Sequence, residues 1–484
     1  GEPFNMAYLA QRGSALCLGV SRLHGEFSRQ IFEPLFPRWP ACEIPIGYVT
    51  NGVHIPTWDS AEADRIWTET CGKERWRRLP DDLHDRVAAV SDEELWAMRG
   101  KGRQRLIGLA RRHLATQLRE RGLDLAMVRQ ADSVLDHNVL TIGFARRFTE
   151  YKRPNLLLRD LARFERLLLN EERPVQIIVA GKAHPADLTG KEMIAQWIEF
   201  ARQPKHRRRV VFLEDYDIAL AQELVQGVDV WISTPRRPWE ACGTSGMKVL
   251  VNGGLNCSIR DGWWDEAYEV DAGWTIGDGG GGEAAAADAR DAQSLYETLE
   301  NEIVPEYYRR DEAGLPRAWL ARIRRSLSVL TPIFASTRML REYVENAYLP
   351  LAASVKARLA DNVALAKNLY AWAEDLRSRW TSLHIGHPAT TSADGRWRIS
   401  VPVAMGEVPP EAVRVELFAD ERANESAEVV ILHQEYAIPG TVNGYIYAGE
   451  VAARRPIEDY TVRVVPFHAD AHIQTELPLI SWQR

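Results

Sequence analysis

Val139-Leu140-Thr141-Ile142-Gly143-Phe144 is apolar almost throughout and shows no polar–apolar alternation. Such a run predicts a strand buried on both faces. Downstream, Pro154 is placed to open a helix carrying Leu157, Leu161, Phe164 and Leu168 on one face. Val175 to Ala180, Val210 to Leu213 and Val228 to Ile232 then repeat the strand signature, separated by helical pattern. Continuous apolar strands alternating with helices predict a doubly wound, parallel α/β sheet over 136–335. Ligands of such sheets sit beyond the carboxyl ends of the strands.

Upstream, Ser91-Asp92-Glu93-Glu94 is a capping box, so a helix is expected to start there and run, with a break near Gly100, to about residue 130. Its Arg99, Lys101, Arg103, Arg105, Arg111 and Arg112 read as a solvated face, with a phosphate or nucleic-acid patch as the alternative. Ile46 to Trp58 reads as a short strand entering a loop punctuated by Gly and Pro. Gly279 to Gly282 reads as a flexible surface loop. Helical pattern fills about 290–382. Beyond it, Trp397–Val401, Val413–Leu417, Tyr445–Tyr447 and Tyr460–Val464 alternate with period two, predicting an antiparallel, sandwich-like β domain over 386–484. The expected division is therefore 1–90, connecting helices over 91–135, the α/β domain over 136–335, a helical connection over 336–385, and the β domain.

The chain has 484 residues, with 60 Lys plus Arg against 67 Asp plus Glu, a net charge of −7. That balance argues against a general nucleic-acid binder. Hydrophobic residues at 45% and charged residues at 26% match a soluble globular protein. No run approaches the roughly 20 apolar residues of a membrane span. Cys17, Cys42, Cys71, Cys242 and Cys257 are odd in number and contain no CxxC pair, so neither a disulfide framework nor a metal site is expected. With no signal peptide in view, the reading is cytoplasmic. The chain opens Gly1-Glu2-Pro3 without an initiator Met, so a fragment with a missing start is expected.

Two segments carry chemistry. Pro238-Trp239-Glu240-Ala241-Cys242-Gly243-Thr244-Ser245-Gly246-Met247-Lys248 follows a strand and enters a helix. Its small residues would let backbone N–H groups face a phosphate, with a lysine in the first turn. It is not a Walker A loop. On the residues alone, a helix cap followed by a surface lysine reads equally well. Arg146-Arg147-Phe148-Thr149-Glu150-Tyr151-Lys152-Arg153 leaves the first strand of the same sheet with four cations, suited to oxyanions or to an exposed charged turn. Taken singly, His24 reads as a packed histidine, Glu240 as a helix-start carboxylate, and Trp263-Trp264 as core or as a sugar platform.

Together these segments resemble the α-glucan phosphorylases, the glycogen, starch and maltodextrin phosphorylase family. Glu240 to Lys248 is similar to the family's Glu-Ala-Ser-Gly-Thr-x-x-Met-Lys motif, with Cys242 in place of the serine. Arg146 to Arg153 is similar to its Lys-Arg-x-x-x-Tyr-Lys-Arg motif. Thr50-Asn51-Gly52 with Trp58, Val20 to His24, and Phe212 to Tyr216 match three more segments in family order, from residue 4 to about 270. The C-terminal β domain resembles the smaller bacterial branch. Fold-wise the resemblance implies the C-terminal half of a GT-B architecture, with 1–90 the incomplete end of a first domain that would leave apolar surface exposed.

The resemblance also implies the following roles. Lys248 carries pyridoxal 5'-phosphate. Gly243, Thr244, Ser245, Arg146, Tyr216 and Trp58 surround that cofactor, the first four and Tyr216 near its phosphate. Arg147 and Lys152 bind the substrate phosphate. His24, Asn51, Glu240 and Cys242 face the glucosyl unit. Lys248, Arg147, Lys152 and His24 form the catalytic set. The implied reaction is phosphorolysis of an α-1,4-glucan at its non-reducing end, releasing glucose 1-phosphate, in a homodimer. Two alternatives stand beside it: a catalytically incompetent fragment or carbohydrate-binding relic of the same fold, and a nucleotide-sugar glucan synthase, which would not need Lys248.

Overall fold

In the computed structural model, which describes residues 4–268, 271–277, 279, 283–422 and 425–483, the deciding stretch becomes strand β1, Leu140–Ala145, with all six residues buried. It heads six parallel strands: β2 Val175–Ala180, β3 Val210–Leu213, β4 Val230–Ser233, β5 Leu255–Ile259 and β6 Gly273–Ile276. Their spatial order is β3-β2-β1-β4-β5-β6, parallel throughout. The order reverses between β1 and β4, the switch point at which doubly wound sheets open a crevice. The strand expected from Val228 starts two residues later. β5 and β6 escaped the sequence reading because Asn256, Ser258 and Thr275 interrupt the apolar run. Burial of Asn256 is offset by a bond from its Nδ2 to the Gly246 carbonyl, 3.1 Å.

The single helix expected from Pro154 is two elements. A 3₁₀ turn, Leu156–Arg159, stops at Asp160, whose carboxylate accepts the Arg163 N–H at 3.0 Å and caps the helix Leu161–Leu168. The capping box of Ser91 and Glu94 forms as expected and starts helix α1, Asp92–Glu120. No break occurs near Gly100. Gly102 serves close packing: a Cβ on it would lie 2.8 Å from the Gln226 carbonyl of helix α2, Ile218–Gly227.

The basic residues of α1 divide: Lys101 and Arg112 are exposed, as a solvated face requires, while others turn inward. Arg99 and Arg103 are buried. Arg99 donates to the carbonyls of Gln226 and Asn252, both at 2.9 Å, and Arg103 pairs with Asp229 at 2.7 Å. Arg111 donates to the carbonyls of Val134 and Leu135, both at 2.8 Å. These side chains pin the helix to the sheet, so α1 folds into the sheet's unit rather than standing apart as a connection.

The chain divides into two compact units, Val20–His24 with Val49–Glu342, and Gly1–Gly19 with Gly25–Tyr48 and Tyr343–Arg484. The second is built on an antiparallel sheet. Strands Arg396–Ala404, Val413–Ala419, Gly444–Ala452 and Tyr460–Pro466 contain all four expected alternations. The strand Glu428–Ala437 pairs with Val413–Ala419 along its first half and with Gly444–Ala452 along its second. Inward Ile399, Val401, Leu417, Val462 and Val464 make its core. Arg463 is buried there between Glu416, 2.9 Å, and Glu43, 2.5 Å, which ties the early segment to the β strands. Phe4, Met6, Leu9 and Ile31 of this unit are exposed. Ile46–Tyr48 is the expected short strand, but Ile55–Trp58 is a helical turn rather than loop. Of the glycine run, 280–282 lie outside the described residues. Among the described residues no helix is long and apolar enough to cross a membrane.

Candidate functional site

The loops leaving β1 and β4 meet at the switch point and bring together three of the residues singled out in the sequence. Glu240 accepts a salt bridge from the Lys152 ammonium and lies 3.4 Å from Arg146 Nη2. Arg146 is 8% exposed, yet its Nη1 has no hydrogen-bond partner among the described residues. An orphaned guanidinium nitrogen at this depth is costly, and an oxyanion would satisfy it. Burial lowers the Lys152 pKa below the ordinary lysine range, and the neighbouring Arg146 adds to the effect, while Glu240 opposes it. Tyr216 is half-buried, which raises its phenol pKa, and the Arg146 charge opposes that rise.

Lys248 stands in the helix Ser245–Leu250. Its Nζ lies 3.7 Å from the centre of the Trp58 ring and has no hydrogen-bond partner among the described residues. Burial lowers its pKa, so more of the neutral amine is present near neutrality than in a free lysine. Asn252 sets the pair: its Nδ2 donates to the carbonyls of Trp58, 2.9 Å, and Lys248, 3.1 Å. Trp231 Nε1 donates to Ser245 Oγ at 3.2 Å. Thr244 makes no side-chain cap. The helix has only six residues, so the cations and not its dipole carry the positive charge of the site. Gly243 adopts φ +84°, and a Cβ there would lie 3.3 Å from Glu240 Cγ.

A third group is gathered around the turn before that helix. Val20 N–H donates to His24 Nδ1 at 3.1 Å, which leaves the proton on Nε2. Burial lowers the His24 pKa, so the neutral ring is favoured. The Asn51 N–H donates to the Val20 carbonyl, 3.0 Å, and Ser21 Oγ donates to the Ala241 carbonyl, 2.7 Å. His24, Asn51 and the 240–248 segment are thereby joined. Cys242 is buried against Asn51, and burial pushes its thiol up to about 12, so it serves as a small packed residue and not as a nucleophile.

Arg147 is exposed, apart from the buried Arg146–Lys152–Glu240 group. Arg153, counted with the free cations, is consumed internally: it pairs with Asp288 at 2.9 Å and Asp291 at 2.7 Å and donates to the carbonyls of Thr234 and Pro235. Trp263 and Trp264 are core, 4% and 1% exposed, which removes the sugar-platform reading.

Sequence reasoning missed Asp261. Its carboxylate accepts the N–H groups of Glu240, 3.0 Å, and Gly262, 2.9 Å, and so holds the Glu240 turn. Its only signal was an acidic residue before a tight glycine, where φ is +54°. Burial raises its pKa from 3.8 to about 7. A raised carboxyl keeps its proton in the folded chain while the unfolded chain ionises. Stability is therefore expected to fall as pH rises from about 4 to about 7 and to level off above. The check is chemical denaturation across that range: the Asp261→Asn variant, which cannot ionise, loses this part of the pH dependence. An unchanged slope would refute the assignment.

The fold and these groups define a doubly wound α/β unit with buried cations and a half-buried lysine on the loops that follow β1 and β4. Residues 2–270 match the family model for carbohydrate phosphorylase, and 380–484 match the glycogen phosphorylase C-terminal domain. The chain belongs to the carbohydrate phosphorylase family. It is 38% identical over 99% of its length to a glycogen phosphorylase of Mycobacterium bovis, covering 56% of that protein. It is 35% identical over 100% of its length to a maltodextrin phosphorylase of Thermococcus litoralis, covering 58% of it. A glycogen phosphorylase of Aquifex aeolicus is 42% identical over 72% of the chain. The chain thus spans about half the length of the curated relatives it matches.

Proposed function

We infer that this chain supplies the cofactor and phosphate side of an α-1,4-glucan phosphorylase of the smaller bacterial branch, in a GT-B architecture, releasing glucose 1-phosphate. The observation that carries the reading is the partnerless, buried Arg146 Nη1, which shares Glu240 with Lys152; the helix after β4 adds an amine that burial holds below the usual lysine pKa. These residues fit pyridoxal 5'-phosphate: Lys248 would hold its carbonyl end against Trp58, and Arg146 its phosphate, with Gly243, Thr244, Ser245 and Tyr216 alongside. Bound there, the cofactor would supply a second phosphate group able to exchange a proton with the substrate's phosphate.

This chain's residues do the rest. Lys152 would turn from Glu240 to the attacking phosphate, and exposed Arg147 would join it, offsetting repulsion between two phosphates. Released from Lys152, Glu240 would accept from a glucosyl hydroxyl. His24, whose proton is held on Nε2, would donate to a second oxygen, with Asn51 and Cys242 lining that side. Developing positive charge on the sugar would be met by the substrate phosphate, so no carboxylate nucleophile is needed. A cytoplasmic homodimer belongs to the same reading. Glu240→Gln removes the carboxylate that competes for Lys152, so it is expected to tighten inorganic phosphate binding severalfold while weakening glucan binding, as isothermal titration would show. Weaker phosphate binding would contradict this exchange of partners.

Borohydride reduction of the chain incubated with pyridoxal 5'-phosphate, followed by peptide mass mapping, tests the cofactor assignment. A pyridoxyl group on the peptide containing Lys248 is expected. Labelling spread over surface lysines, with Lys248 unmodified, would overturn it.

A further inference from the structure

Along the free edge of the parallel sheet lies a cavity of about 400 Å³. Its walls are edge strand β3, the C-terminal end of α1, the helix Leu125–Gln130 and the helix Leu188–Arg202. The floor is apolar, formed by Leu118, Ile198 and Phe212. An edge strand usually presents unpaired main-chain groups, but here Gln117 satisfies them: its Nε2 donates to the Phe212 carbonyl at 3.3 Å, and its Oε1 accepts the Glu214 N–H at 3.2 Å. The wall is therefore sealed against an added strand and suited to a small molecule.

The rim is strongly basic. Arg121, Arg202, Arg207 and Arg208 line the cavity against the single carboxylate of Glu214. Arg121 pairs with Glu214, and Arg202 is close enough that its charge acts on Arg121. Arg202, Arg207 and Arg208 make no ion pair among the described residues. Uncompensated arginines around an apolar floor match a ligand with an oxyanion at one end and a flat or aliphatic body at the other. In a chain whose net charge is −7, such a local excess of positive charge is not a property of the surface at large. No residue of this cavity belongs to the candidate functional site.

We propose that this cavity is a second binding site, separate from the switch-point crevice, for a small phosphate monoester with an apolar body. The arginines take the phosphate, and the floor takes the body. The cavity volume falls in the range of small-molecule sites, about 300–1,000 Å³.

The test uses the full chain with phenyl phosphate as probe, titrated by calorimetry at low ionic strength, with inorganic phosphate and benzyl alcohol as controls. A saturable site that survives in Lys152→Ala is expected, and in that variant it binds phenyl phosphate more tightly than either control. Arg202→Ala and Arg207→Ala are each expected to weaken it about tenfold. Both residues are exposed, and an unchanged melting curve would show that the variants fold. Lys152→Ala is expected to leave the affinity unchanged, which separates this cavity from the phosphate site proposed above. Absence of saturable binding would overturn the proposal. So would binding that is lost in Lys152→Ala but unaffected in the arginine variants, and so would equal affinity for inorganic phosphate, which would leave the apolar floor without a role.

Discussion

Lys248→Ala is expected to abolish incorporation of a reducible pyridoxyl group and to lower the proposed phosphorolysis by about 10³-fold or more. The side chain is half-buried and makes no hydrogen bond among the described residues; its recorded partner is the Trp58 ring at 3.7 Å. Truncation therefore leaves no buried polar group orphaned, and stability is expected to change by no more than about 1 kcal/mol. A large functional loss with little structural loss is the signature of a residue held for chemistry. Lys248→Arg sharpens the result. It keeps the charge over Trp58 but lacks a primary amine, so it is expected to fold normally and to remain unlabelled after borohydride. Full activity in either variant would show that the amine is not required and would remove the cofactor assignment with it.

Asp229→Ala is expected to have the largest effect on stability, destabilising the parallel-sheet unit by about 3–5 kcal/mol, because it leaves buried cations without their counter-charge. Asp229 is 1% exposed, and so is Arg99; Arg103 is 4% exposed. One carboxylate oxygen takes Arg103 at 2.7 Å and faces Arg99 at 3.6 Å, while the other accepts the Thr141 N–H at 3.0 Å. The substitution therefore strips a hydrogen bond from β1 as well as charge from α1. The transition midpoint in urea, followed by tryptophan fluorescence, reports the change. A loss below about 1 kcal/mol would mean that the carbonyls around Arg99 suffice to hold both guanidinium groups.

The two expectations also show where local sequence was informative. The strands Val175–Ala180 and Val210–Leu213 were legible to the residue because both faces of each are covered, so that apolar residues fill every position but Gln176. Strands β5 and β6 were not. Asn256 is polar and buried only because the Gly246 carbonyl satisfies it, and half-buried Thr275 is polar with Trp264 Nε1 as its partner. The helix start at Ser91 was legible because a capping box closes within four residues. The role of Arg99 was not, since its acceptors lie 127 to 153 positions away.

The same division runs through the site. Residue type and spacing in 146–153 and 238–248 determined that a cation-rich loop and a glycine-rich loop leave strands of one parallel sheet, and that the second carries a lysine into a helix; these are properties of short segments whose geometry follows from strand, turn and helix start. Which cations remain available was decided by tertiary structure. Arg146, Arg147, Lys152 and Arg153 look alike in sequence. Folding pairs Arg153 with two aspartates, sets Lys152 on Glu240, leaves Arg147 exposed and buries Arg146 with one nitrogen unsatisfied. Charge is a property of the residue, but its availability depends on what the fold places within a few ångströms of it, and in the interior that neighbour outweighs the solvent.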